Sequence, residues 1–420
     1  MKKIIASAGL IAFGAAGLQA AYAPGLSSME TSKPWSISAT LRGFYDDNYN
    51  TAPSGPNKLD SFGFEVMPKL GLNLSLDQTF IGLRYIYDLK YFEDRPKNEF
   101  DQTHQFDAVL SHTFTERYSI DLTDSFVIAQ EPELLEPTGG TLVRTEGNNI
   151  RNRAAVNFNA QLTTLLGLMF GYSNMFIDYE QDLADVLALP GGIPPSRSYL
   201  LDRMQHLVTI DSRWQVLRQT VGILGYQFGM VDFMSNEMVG GVSADARNSR
   251  SHYVYIGADQ NFRPDLTGSV RVGGQIVDYY NDSSSDTSLS PYADASLTYN
   301  YTRGSFVQLG IRHARNATDI NVLDQESTGV FLQLNHRITP HLTGNILGQF
   351  QHSVANGSTQ IGGGVDEAVD DIYLVGLNLS YRFNQYLSTE VGYNYDRLIS
   401  DLSSRSFSRN RVYVGVTASY

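Results

Sequence analysis

The segment DDIYLVGLNLSYRFNQYLSTEVGYNYD (370–396) carries the pattern from which the rest of the chain can be read. Tyr373, Val375, Leu377, Leu379, Tyr381 and Phe383 alternate with Leu374, Gly376, Asn378, Ser380 and Arg382. Beyond Asn384 and Gln385, Leu387, Thr389, Val391, Tyr393 and Tyr395 alternate with Ser388, Glu390, Gly392, Asn394 and Asp396. Successive side chains of an extended strand point to opposite faces, so each stretch has one apolar and one more polar face. Alternation of this length across a tight turn predicts an antiparallel hairpin set between two different solvents. The aromatic residues cluster toward the ends of the apolar rows, where a membrane-spanning sheet places its interfacial girdles.

The same unit recurs upstream. NLSLDQTFIGLRY (73–85), SHTFTERYSIDL (111–122), QNFRPDLTGSVRV (260–272) and NHRITPHLTGNIL (335–347) each join two alternating runs through a short polar turn. Successive units lie about 40 residues apart, a period that propeller blades also show. A blade would need four short strands in that length, and these runs are too long for it. Two strands of about 9–11 residues or slightly more, with one short turn and one long loop, fit the spacing. Strands are predicted near 35–46, 62–76, 79–92, 102–115, 118–129, 150–163, 165–178, 202–214, 219–233, 249–262, 266–280, 291–302, 304–316, 326–338, 341–354, 370–383, 386–400 and 408–420. The expected fold is all-β, an antiparallel up-and-down transmembrane barrel of about 18 strands.

Composition agrees. The 420 residues include 25 Tyr, 21 Phe, 37 Gly and no Cys, so neither disulfides nor thiolate metal sites are available. Mean hydropathy is −0.22, as expected when only one face of each strand meets lipid. There is no linker between globular units, and one large domain over 35–420 is expected after a short segment, 21–34. MKKIIASAGLIAFGAAGLQA (1–20) has two lysines, an apolar run and small residues, the layout of a secretory signal peptide. Its removal would leave 29 Lys+Arg (31 less Lys2 and Lys3) against 44 Asp+Glu, a formal charge of −15. Such an acidic balance argues against a nucleic-acid partner.

The last residues, VYVGVTASY (412–420), place Val412, Val414, Val416, Ala418 and Tyr420 on one face. This resembles the carboxy-terminal strand by which the outer-membrane assembly machinery recognises bacterial β-barrels. Taken together, the leader, the hairpins and this strand resemble outer-membrane barrels of the porin kind, in particular the putative β-barrel porin family. The resemblance covers 35–420 and implies a barrel in the bacterial outer membrane. Its implied partners are lipid and lipopolysaccharide, with the assembly machinery and periplasmic chaperones during biogenesis. It carries no catalytic motif, cofactor or metal site, and fold alone does not give function.

Assigning the more apolar row of each strand to lipid leaves the other row inside. The inner rows then carry Arg42, Lys69, Arg84, Asp88, Asp107, Asp121, Asp211, Arg213, Asp259, Arg271, Asp294, Arg312, Arg337, Arg382, Glu390 and Asp396. Charges facing hydrocarbon cost about 2–4 kcal/mol for Arg or Lys near the midplane, so inward placement is favoured. A mixed-charge wall suits the passage of small polar solutes, and the same residues can also brace the barrel as ion pairs. A barrel of about 18 strands is too wide for its side chains to fill. Within the longest loop, DYEQDLADVLALPGG (178–192) predicts a short helix that could either narrow the lumen or cap the rim, with Asp182 and Asp185 at the mouth.

These features point to a porin giving passive diffusion of small hydrophilic solutes, without a cofactor and with a homo-oligomer possible. A non-conducting surface barrel for adhesion is the alternative, and a barrel-borne hydrolase a weaker one. His112 and His336 fall on lipid-facing rows near the turns, where an interfacial imidazole explains them. Gly362, Gly363 and Gly364 precede no helix and make no phosphate cradle. The acidic group Asp366, Glu367, Asp370 and Asp371 reads as a solvated loop, with Ca²⁺ or lipopolysaccharide contact as the sharper option.

Overall fold

The structure, a computed structural model, describes residues 33–420 apart from 54, 56–57, 97, 131–146, 189–194, 283–286, 359–360, 362–364 and 403–404. The leader reading and Gly362 to Gly364 lie outside the described residues. Eighteen long strands form one antiparallel sheet closed on itself. They are β1 (Trp35–Asp46), β2 (Ser61–Ser75), β3 (Thr79–Phe92), β4 (Phe100–Thr115), β5 (Tyr118–Ala129), β6 (Asn149–Gln161), β7 (Leu166–Tyr179), β8 (Arg203–Leu217) and β9 (Thr220–Phe233). After the minor pair β10 (Met238–Val239) and β11 (Val242–Ser243) come β12 (Ser249–Arg263), β13 (Leu266–Asp278), β14 (Ser288–Thr302), β15 (Ser305–Asn316) and β16 (Asp324–Arg337). β17 (Leu342–Asn356), β18 (Val369–Arg382), β19 (Leu387–Ser400) and β20 (Phe407–Ser419) complete the wall. Each predicted strand is present, with ends displaced by at most three residues. The β10–β11 pair was not foreseen; Gly240 and Gly241 turn it at φ +61° and +85°, values a side chain would resist.

Burial follows the period of two. β1 alternates exposed and buried residues along nearly its whole length. Ile256 is 68% and Val414 59% exposed because the outer row has no protein to pack against. Inward-facing aromatics instead lie flat across inner-row glycines. A Cβ at Gly225 would stand 2.2 Å from the Tyr255 ring, and one at Gly392 2.1 Å from Tyr413, so only glycine admits these rings. Among the described residues no helix is long and apolar enough to cross a membrane, and the crossing is made by strands.

Closure depends on β1 against β20, from Ser38↔Ser419 to Asp46↔Arg411. At the short-turn end the Tyr420 amide donates to the Ile37 carbonyl at 2.8 Å. The Tyr420 ring packs 5.4 Å from Trp35 and 6.2 Å from Tyr386. At the long-loop end Asp46 is fully buried between Arg409 and Arg411. Tyr420→Asp removes the ring contacts and sets a carboxylate at the interface. The amount of heat-modifiable barrel in the outer membrane should fall several-fold. A normal yield of folded protein would show that the terminal ring is dispensable.

Candidate functional site

Strand pairing puts all sixteen charged residues read from the sequence onto the rows opposite the exposed aliphatic ones. Most are joined across strands into separate clusters. Arg42 on β1 donates to Glu390 at 2.6 Å and to Glu65 at 3.0 Å, and its guanidinium lies 4.9 Å from the Tyr413 ring centre. Asn378 donates to Glu390 and to the Tyr413 hydroxyl. On the neighbouring wall Arg84 donates to Asp107 at 2.7 Å, and Gln105 and Ser125 donate to the same carboxylate. Asp259 accepts from Arg213 at 2.6 Å and Arg271 at 3.0 Å, while Asp211 accepts from the Tyr255 hydroxyl at 2.6 Å. Charged hydrogen bonds of this kind are short and strong, and in a half-wet wall they hold strands in register.

Other inner-row charges stand differently. Lys90 approaches Asp88 at 3.4 Å, and Arg409 reaches Asp396 as well as Asp46. Arg337 and Arg382 both donate to the Pro340 carbonyl at the short-turn end. Lys69 lies opposite Ser38 and Ile86. Asp121, Asp294 and Arg312 make no hydrogen bond or ion pair among the described residues, although Asp294 and Arg312 are register partners.

The mouth is formed by loops that turn inward. Within residues 180–202, α1 (Leu183–Ala188) is followed by α2 (Arg197–Leu201). Leu201 packs with Met175, Ile177 and Tyr179 on the inner row of β7, and Tyr199 packs with Phe233 at the top of β9 and with Ala244. Asp182 and Asp185 are exposed and cap each other's backbone amides at the start of α1. The inward element is therefore α2, which the sequence pattern did not single out.

Two residues of loop 234–248 staple α2 in place. Glu237 accepts from the Leu183 amide at 2.7 Å and from the Ser196 hydroxyl. Arg247, 1% exposed, lies between the rings of Tyr199 and Phe233 at 4.8 and 4.0 Å from their centres. It donates to the Leu200 and Tyr199 carbonyls, the unsatisfied acceptors at the end of α2. Burial brings the Arg247 guanidinium down to about 10. Asp202, which follows α2, accepts from the Tyr179 amide at 2.7 Å. Burial pushes its carboxyl up to about 7, helped by nearby Asp178 and Glu237 and opposed by the Tyr179 and Ser198 hydrogen bonds.

Farther round the rim, Ala246, Val277, Tyr279, Leu323 and Ile361 bring four connections together. Arg405 ties Asp319 to Asp370. Leu347, Ile372, Leu374, Leu398 and Phe407 form an apolar cluster on inner rows of β17 to β20. That cluster departs from an all-polar wall, and Phe331 of β16 packs against it. None of the eight histidines lies on an inner row. Six accept or share a hydrogen bond with a Tyr or Thr hydroxyl, among them His112 with Thr79 and His336 with Tyr301. His352 pairs with Asp371, and His341 bonds the Arg382 carbonyl. Among the described residues no group of His, Cys, Asp and Glu could hold a metal ion.

Residues 209–420 match the model of the family described as Putative beta-barrel porin 2. Solved structures with a similar course include OccK2 (OpdF) of Pseudomonas aeruginosa, 11% identical, covering 92% of this chain and 98% of that one with a TM-score of 0.46. OpdK of the same organism is 12% identical, with coverages of 92% and 99% and a TM-score of 0.45. A BenF-like porin of Pseudomonas fluorescens Pf-5 is 10% identical, with the same coverages and a TM-score of 0.45. No curated protein matches the chain. With the family model matched over half its length and an eighteen-stranded wall closed on itself, the chain belongs to the Putative beta-barrel porin 2 family, whose members are outer-membrane barrels.

Proposed function

We propose that the chain passes small hydrophilic solutes by passive diffusion, down the lumen between the paired charges of its inner wall and past the inward α2 segment. The observation that carries this reading is that most wall strands divide into a mainly apolar outer row and an inner row holding the charged and amide groups, with β7, β9 and the Leu374 cluster as apolar stretches of the inner face. Residues 1–20 would export the chain, and Val412, Val414, Val416, Ala418 and Tyr420 would serve as its assembly signal. Lipid, lipopolysaccharide and the assembly machinery are the corresponding partners.

Because Arg42, Arg84, Arg213 and Arg271 are neutralised by carboxylates, the wall should discriminate weakly by charge. The long-loop end is different, with Glu93, Asp94, Asp182, Asp185, Glu367 and Asp401 all exposed. Such a mouth concentrates cations, and salt screens it over about 10 Å at 0.1 M. A non-conducting surface barrel draws its support from the loops gathered around Leu323 and Ile361, and conductance separates the two readings.

In a planar bilayer the purified chain should give discrete channels with a mild cation preference that fades as salt rises. Arg247→Ala should free α2 and raise unit conductance. Absence of channels from both proteins would favour the surface reading.

The docked α2 also carries a pH dependence. The Asp202 carboxyl titrates higher in the folded loop than its ordinary 3.8, so its contribution to docking is complete below the ordinary carboxylate range and is lost as pH rises through about 7. Conductance should therefore fall as pH is lowered from 8 to 5, and Asp202→Asn should abolish that step. A step of the same size in Asp202→Asn would exclude this group as its origin.

A further inference from the structure

The outer rows hold one charge at the middle of a strand. Asp124 lies halfway along β5, on the same row as Tyr118, Leu122 and Ile128 and opposite in direction to Ser125, whose hydroxyl bonds the inner-row Asp107. The other outward charges, such as Asp178, Asp232, Arg250, Asp278 and Arg397, fall near the long-loop ends of their strands, where headgroups and water begin. Asp124 accepts from the Asn152 amide at 3.0 Å, and no cation pairs with it among the described residues.

Its surroundings are also unlike the rest of the belt. A single line of register partners crosses five strands as Ala108, Asp124, Ala154, Asn174 and His206. Asn174 and the Tyr172 hydroxyl both meet the His206 ring, at 3.2 and 2.9 Å. On the far side of the barrel the equivalent direction reads Leu334, Ile346 and Leu377. Hydrocarbon offers no hydrogen bond to the free oxygen of Asp124, to the Asn152 and Asn174 side-chain oxygens or to the His206 Nε2–H.

We propose that the outer face of β4 to β8 is a subunit interface covered by a second copy of this chain, with Asp124 near its centre. The patch holds its own complement. An ionised carboxylate only accepts; the Asn152 and Asn174 amide protons are already given to Asp124, the Ser125 and Gln205 carbonyls and His206 Nδ1, which leaves the His206 Nε2–H as the donor the patch presents outward. A surface with both can meet itself about a symmetry axis, each Asp124 facing the other copy's His206 ring from the same register line, which is the pattern of an isologous contact. Ala108 and Ala154, flanking the carboxylate in register, leave room for the two walls to approach.

The chain has no cysteine, so single cysteines report position without background. Ala154→Cys, treated with a short membrane-permeant bismaleimide in outer membranes, should give an adduct of twice the chain mass, and Ile346→Cys should not. Adding Asp124→Leu to Ala154→Cys should lower the adduct several-fold while heat-modifiable mobility shows that the barrel remains folded. If this face meets lipid instead, Ala154→Cys gives no adduct, or no more than Ile346→Cys. An adduct of any other mass would overturn the second copy as occupant, and an undiminished adduct with Asp124→Leu would overturn the role of the carboxylate.

Discussion

The structure depends on β1 meeting β20. In a bilayer each backbone N–H and C=O must find a partner, and a sheet can satisfy that demand only by having no edge. The join is supported at three heights. Tyr420 rests on Trp35 and Tyr386 at one end, Thr40 and Thr417 share a hydrogen bond at 2.8 Å in the wall, and Asp46 is clasped by Arg409 and Arg411 at the other. Arg42 adds Glu65 on one side of the join and Glu390 on the other. The buried Asp46 cluster is favourable only while complete, since loss of one partner strands an uncompensated charge.

The same chemistry governs what the lumen can do. Inner-row charges compensated by a cross-strand neighbour keep their hydration cost low without leaving strong unpaired wells for a passing ion. The narrowing we propose lies instead in the loops, where α2 is seated on Met175, Ile177 and Phe233 and held by Arg247. Wall and inward loop are thus built from different parts of the chain. Strand alternation provides the first, and packing between loops 180–202 and 234–248 provides the second.

How much of this was legible follows from the range of each interaction. Alternation is local, so the hairpin around Asn384 and the inward placement of Arg42 or Glu390 could be read from a few neighbours. The pairing of those two charges could not, because Arg42 and Glu390 stand 348 positions apart. The helix 183–188 was visible in its leucine spacing, whereas the inward role of α2 rests on Arg247 in a different loop, which has no periodic signature. The apolar inner cluster around Leu374 was hidden for a similar reason. A leucine on the polar row of one strand acquires meaning only when Leu347, Leu398 and Phe407 come beside it.

Closure of the wall is the claim on which the rest stands, and a disulfide across the join tests it most directly. Thr40 and Thr417 are register partners on the inner face, and the chain contains no other thiol to compete. Thr40→Cys with Thr417→Cys, oxidised in isolated outer membranes, should yield a monomeric chain whose fully denatured form migrates as a cross-linked ring and reverts on reduction. Two free thiols in a folded, heat-modifiable barrel after oxidation would contradict the account, because the first and last strands would not then be neighbours.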